Sequence, residues 1–191
     1  YWTDFAEGAR ANGWAVCLPS YTLAPELRIS QMVQQITVAI EVAALRVSGP
    51  IRISGHSAGG HLATRMICDD TSLSQATLDR VEAVQSISGL HDLRPLMQTK
   101  MNDILQLDEE EAKCESAVLH RPISAIPYTC WVGGGERPEF IRQSKAMAQI
   151  WSGLDTPSHC VVDGQHDHFT VIEGLRIADS EITLNLISNN K

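Results

Sequence analysis

No C-x-x-C pair, no cluster of Lys and Arg and no apolar run long enough to span a bilayer occurs in these 191 residues. The missing C-x-x-C removes redox-motif and zinc-ribbon readings. Five cysteines stand singly instead, and three of them (Cys17, Cys130, Cys160) fall in predicted strands, where a thiol behaves as a small apolar group; a reducing, cytoplasmic compartment fits. The formal net charge of -8 argues against nucleic acid or an anionic membrane surface as partner, since both need clustered cations, and leaves a small-molecule substrate. Without a long apolar run, no membrane helix is expected. A homodimer is left open by these patterns. Repeats, linkers and low-complexity segments are absent too, and 191 residues of which 43% are hydrophobic suffice for one filled core, so residues 1–191 read as one domain. The chain starts at Tyr1 rather than Met, so the lack of a leader carries no information.

What is present centres on residues 51–62, I-R-I-S-G-H-S-A-G-G-H-L. A short alternating apolar run ends in Gly55-His56-Ser57-Ala58-Gly59, a G-x-S-x-G pattern, and a helix-forming stretch over 62–68 follows. Strand, tight turn and helix in that order push a serine hydroxyl out above a sheet edge. Gly55 and Gly59 are expected to remove Cβ atoms that would clash with strand and helix. Ala58 then offers its backbone NH at a helix N-terminus, where the dipole and an unpaired donor favour a developing oxyanion.

The flanking pattern alternates. Residues 14–18 (W-A-V-C-L) read as a buried strand closed by Pro19; apolar residues at Ile29, Met32, Val33, Ile36, Ile40, Ala43 and Val47 carry helical spacing up to Gly49-Pro50; residues 81–88 form a further strand. Residues 128–132 and 159–162 add two strands, with a helix from Pro138 to Trp151 between them and an amphipathic stretch over 177–187 at the end. This is the α/β class, with a doubly wound, mostly parallel sheet whose functional residues sit at the C-terminal strand ends. Residues 93–122 break the rhythm and read as a small helical, cap-like insertion; its Asp108-Glu109-Glu110-Glu111 run reads as a solvated first helical turn rather than a metal site.

A serine is a weak nucleophile unless a base oriented by a carboxylate takes its proton. On a sheet of this kind the acid and then the histidine follow the serine in the chain. Glu136 comes just after the 128–132 strand and His168 just after the last one. Asp92 is the competing acid and His166 the competing base. His168 is preferred because Phe169, Ile172 and Leu175 have helical spacing, which places it at a helix start beneath a buried Phe169. No metal or organic cofactor is required.

The stretches G-H-S-A-G-G-H-L-A, Y-T-L-A-P-E (residues 21–26), G-G-G-E-R-P-E-F (133–140) and D-H-F (167–169) resemble the α/β-hydrolase fold. More narrowly they are similar to its arylformamidase (kynurenine formamidase) and small carboxylesterase branch. The resemblance implies a serine hydrolase acting on an ester or N-formyl amide, with Ser57, Glu136 and His168 catalytic. Members of that branch carry His-Gly-Gly-Tyr-Trp, so Tyr1-Trp2 resemble the tail of that motif; the Tyr1 NH would join the Ala58 NH in an oxyanion hole, and the family's early strands would be missing. Trp2, Tyr21, His56 and Phe169 are the pocket candidates. A hydrolase-fold binding protein without catalysis is the alternative.

Overall fold

The computed structural model describes residues 2–188. Its centre is a four-stranded parallel sheet in the order β1 (Ile51–His56), β2 (Val81–Ile87), β3 (Tyr128–Gly133), β4 (Ser158–Asp163). Parallel neighbours need crossover connections, and helices supply them. Before the sheet come α1 (Glu7–Ala11) and α2 (Ile29–Arg46); α3 (Ala58–Arg65) and α4 (Gln75–Leu78) join β1 to β2; α5 (Asn102–Leu105) and α6 (Glu109–Cys114) lie between β2 and β3; α7 (Pro138–Ser152) joins β3 to β4; α8 (Glu181–Ile187) follows.

Both faces of the sheet are covered. On one, Ile53, Val84, Tyr128 and Cys130 pack against Met32 and Ile36 of α2, Leu62 and Ala63 of α3, and Met147 and Trp151 of α7. On the other, Ile87 and Trp131 meet Val171, Ile172 and Ile182. Adjacent residues such as Cys130 and Trp131 thus serve opposite layers, as the two-residue strand period requires. Every residue of β3 is buried, which explains why its sequence runs apolar without alternation.

Two expectations fail here. Residues 14–18 form no strand: Val16, Cys17 and Leu18 are exposed, while Trp14 donates its backbone NH to the Ala9 carbonyl and has the Arg52 guanidinium 5.7 Å from its ring centroid. An apolar run becomes a strand only where a neighbour completes its ladder, and β1 pairs with β2 alone among the described strands. The acidic run is a first helical turn, with the Asp108 side chain accepting from the Glu111 NH, but it is not wholly solvated. Glu111 is buried and, with Asp108, grips Arg28 at 2.7 and 2.6 Å, tying the 93–122 segment to the start of α2, where Leu93, Leu96, Leu107 and Ala112 pack on Ile29. No helix among the described residues is long and apolar enough to cross a membrane.

Candidate active site

Ser57 sits between β1 and α3 with φ 55° and ψ -116°, outside the populated wells for a side-chain-bearing residue. Such a conformation costs about 1–3 kcal/mol and persists only where its surroundings hold it. Here the Ser57 NH donates to the Ile87 carbonyl at 2.8 Å, and the Ser57 carbonyl accepts from the NH groups of Gly60 and His61. The glycines divide the steric work differently from the expectation. A Cβ at Gly55 would run into the Gly59 backbone, and one at Gly60 would lie 2.8 Å from Ser86 Oγ and 3.0 Å from the Ile87 carbonyl; at Gly59 it would meet nothing within 4 Å. Gly60, outside the motif, is what lets α3 approach β2. Gly60→Ala is therefore expected to destabilise the fold by about 1–3 kcal/mol, while Gly59→Ala, inside a helix, should be neutral or stabilising by about 1 kcal/mol. Paired thermal melts measure this, and equal losses would contradict the assignment.

The floor under this turn is polar but uncharged. His91 Nε2 lies 3.2 Å from Ser86 Oγ, and the Tyr128 hydroxyl 3.0 Å from Thr64 Oγ1. Burial, with neighbouring His61, pushes His91 down to about 3; burial, with Arg65, pushes His61 down to about 4. Both are neutral at physiological pH.

Above the turn three side chains form one hydrogen-bonded chain. Ser57 Oγ lies 3.1 Å from His168 Nε2, and His168 Nδ1 lies 2.7 Å from Glu136 Oε2. The Glu136 carboxylate only accepts, so Nδ1 carries the proton and Nε2 is left free to take one from the serine. The Glu136 side chain is wholly shielded from solvent. Burial alone would raise its pKa, but hydrogen bonds from His168, from the Ser88 hydroxyl and from the Gly133 NH outweigh that and hold the carboxyl below the usual range. Glycine at 133 also lets the final loop close, since a Cβ there would meet the His166 carbonyl at 2.6 Å.

Asp92 and His166 have partners of their own. Asp92 is turned toward Arg94, which it holds at 2.8 Å. His166 is paired to Asp163 at 2.8 Å with its side chain 39% exposed. Phe169 is not buried: it is 74% exposed, with its ring edge-on to His168 at 5.4 Å. No α-helix begins there either. Instead Asp167 Oδ1 accepts from the NH groups of Phe169 and Thr170, a local turn that competes with helix. Val171 and Ile172 supply the buried anchor.

Of the pocket candidates, His56 lies against His168, its ring 4.7 Å away and its Nε2–H donating to the His168 carbonyl at 2.7 Å. Burial first, then the neighbouring His168, lower the His56 pKa, so it is a neutral clamp on the loop. Tyr21 packs on the core cluster around α2, where burial raises its pKa. Trp2 is 63% exposed, 6.0 Å from the Phe5 ring. The Ala58 NH is the first of α3 and has no acceptor within the helix; Tyr1 lies outside the described residues. A cavity of about 540 Å³ opens elsewhere, between Gln85, Thr129 and His159 of the sheet and Asn185 of α8. Two neighbours of the chain escaped sequence reasoning: Ser88, and Phe140, whose ring lies 4.6 Å from that of His168. The Ser-Gly step closing β2 was the available sign of the first, since a chain reversal at a strand end is where side chains are aimed across a sheet.

Comparison with known proteins agrees with this fold. Residues 2–169 match the family model for the alpha/beta hydrolase fold. Kynurenine formamidases of Danio rerio and Salmo salar are 27% and 28% identical over 86% and 92% of this chain, but the matches span only 58% and 62% of their own lengths. A Silicibacter sp. protein of known structure, provisionally named a thioesterase, is 40% identical and superimposes with a TM-score of 0.92, covering 98% of this chain and 69% of its own. A Pyrobaculum calidifontis esterase, at 16% identity and a TM-score of 0.65 over 88% of this chain and 62% of its own, shares the fold.

Proposed function

The chain belongs to the alpha/beta hydrolase fold family, and from that premise we propose that it is a serine hydrolase cleaving a carboxylic ester or N-formyl amide of a small aromatic substrate through an acyl-enzyme. The observation that carries the reading is the single imidazole bridging a strained, partly exposed serine and a buried carboxylate. In the proposed reaction Ser57 Oγ attacks the carbonyl carbon as its proton passes to His168 Nε2. Glu136 stabilises the imidazolium that forms and keeps the ring in the correct tautomer. The Ala58 NH at the α3 N-terminus stabilises the oxyanion, and the Tyr1 NH is proposed as its second donor. The tetrahedral species collapses as His168 returns the proton to the leaving alcohol or amine, leaving Ser57 acylated. A water, deprotonated by the same imidazole, then releases the acid. Each step moves one proton through Nε2 and calls on no cofactor.

The kynurenine formamidase relatives support an N-formyl substrate, and the 40%-identical Silicibacter protein supports a thioester as a further acyl donor. Exposed Phe169 and half-buried Phe140 beside His168 support an aromatic group in the site. Five free cysteines support a reducing compartment. The test is to label the protein with a fluorophosphonate and then compare hydrolysis of N-formylkynurenine, phenyl acetate and a short acyl thioester. Stoichiometric labelling is expected, with kcat/KM highest for one of the first two. Absence of labelling would favour a binding protein without catalysis; a strong preference for the thioester would move the substrate class.

A further inference from the structure

We propose that Ser88 is a positioning residue that acts through Glu136, its hydroxyl fixing one carboxylate oxygen so that the other is reserved for His168. The inference rests on the serine-hydrolase reading above. Ser88 is fully buried at the end of β2 and has φ 52°, the left-handed region. That backbone disfavours every residue with a Cβ by about 1 kcal/mol or more relative to glycine. At this position the side chain is not idle, because its buried hydroxyl has the Glu136 carboxylate as partner. The backbone position is tied down by the Ser88 NH, which donates to the Trp131 carbonyl at 2.7 Å and so extends the β2–β3 pairing beyond Ile87↔Trp131. The side chain then reaches across to the end of β3.

There it donates to Glu136 Oε1, the same oxygen that takes the Gly133 NH at 2.8 Å, while Oε2 takes His168 Nδ1–H at 2.7 Å. The two oxygens thereby have separate duties. A glutamate has one more rotatable bond than an aspartate, and two donors converging on Oε1 from different strands remove the freedom that bond would add. They also solvate a carboxylate from which water is excluded, where each donor counts for more than at the surface. The Ser88 hydroxyl donates to Glu136 rather than to Ser57 or His168. Its influence passes through the orientation and ionisation of Glu136.

The test uses the full chain, p-nitrophenyl acetate as probe, and a fluorophosphonate to titrate the active fraction in each preparation. Ser88→Gly is the informative variant, because it deletes the hydroxyl while relieving the left-handed backbone; Ser88→Ala is its companion. Per active site, both are expected to lose about tenfold in kcat with KM little changed. The acidic limb of the kcat/KM profile should move up by about one pH unit. The sign follows from the deleted donor: a buried carboxylate with fewer hydrogen bonds holds a proton more readily, so the Glu136–His168 couple loses its proton at higher pH. In a Glu136→Gln background, Ser88→Gly should add less than about a twofold further loss, because coupled residues are not additive. Wild-type kcat and an unmoved limb in Ser88→Gly would overturn the inference, and so would an equal loss in both backgrounds. If Ser57→Ala is inactive while Ser88→Gly is unchanged, this inference alone falls; if Ser57→Ala keeps full activity, the serine-hydrolase reading falls with it.

Discussion

Ser57→Ala is expected to abolish fluorophosphonate labelling and to lower kcat/KM on an aryl ester by roughly 10⁴- to 10⁶-fold. In the proposed mechanism the size follows from nucleophile and base acting as a unit. With the hydroxyl gone, His168 Nε2 has no proton to take, and the remaining donors can only assist attack by a water that nothing orients. Alanine must adopt the same φ of 55°, held by the same bond from the residue 57 NH to the Ile87 carbonyl, so the variant neither relieves the strained turn nor disturbs α3. Its melting temperature should match wild type within about 2 °C. The pairing of unchanged stability with lost chemistry makes the result interpretable. Turnover above roughly a hundredth of wild type would show that another group attacks the carbonyl.

His168→Ala should cost as much as Ser57→Ala, whereas His166→Ala should keep activity within about threefold. The two histidines share a loop, but their surroundings differ. The His168 ring is held at both nitrogens, by Ser57 and Glu136, flanked by the rings of His56 and Phe140, and its carbonyl is clamped by His56. His166 contributes through its backbone carbonyl, which accepts from the Gly135 NH and survives truncation to alanine. Its side chain is half exposed beside Asp163, a pair of little energetic weight. A steady-state comparison decides between them, and a larger loss in His166→Ala than in His168→Ala would move the base by two residues.

Some of this was legible in the chain. The 3.6-residue period over 29–47 specified α2, and the apolar runs at 51, 81, 128 and 159 specified four strands, because local periodicity is a local property. Gly-x-Ser-x-Gly between strand and helix specified the turn, since few residues tolerate its backbone. The proximity of Glu136 and His168 to Ser57 could be read because parallel strands deliver their C-terminal ends to one side of the sheet, so a residue just past each strand is near the others whatever the intervening sequence.

What the tertiary structure decided was everything that depends on which neighbour is present. The run at 14–18 has strand composition, but a strand exists only with a ladder partner, and composition does not reveal one. Glu111 reads as one acid among four; the approach of Arg28 and Ser30, from 83 and 81 residues away, gives this buried carboxylate its partners. Phe169 follows an apolar helical spacing and yet faces solvent, because Asp167 offers the backbone a competing turn. Ser88 looks like an ordinary strand-end residue until the β2–β3 register and a left-handed φ aim its hydroxyl at Glu136. Periodicity and turn chemistry are written within a few residues, whereas contacts across dozens of residues are set by register and by a handful of backbone angles, which sequence neighbours do not encode.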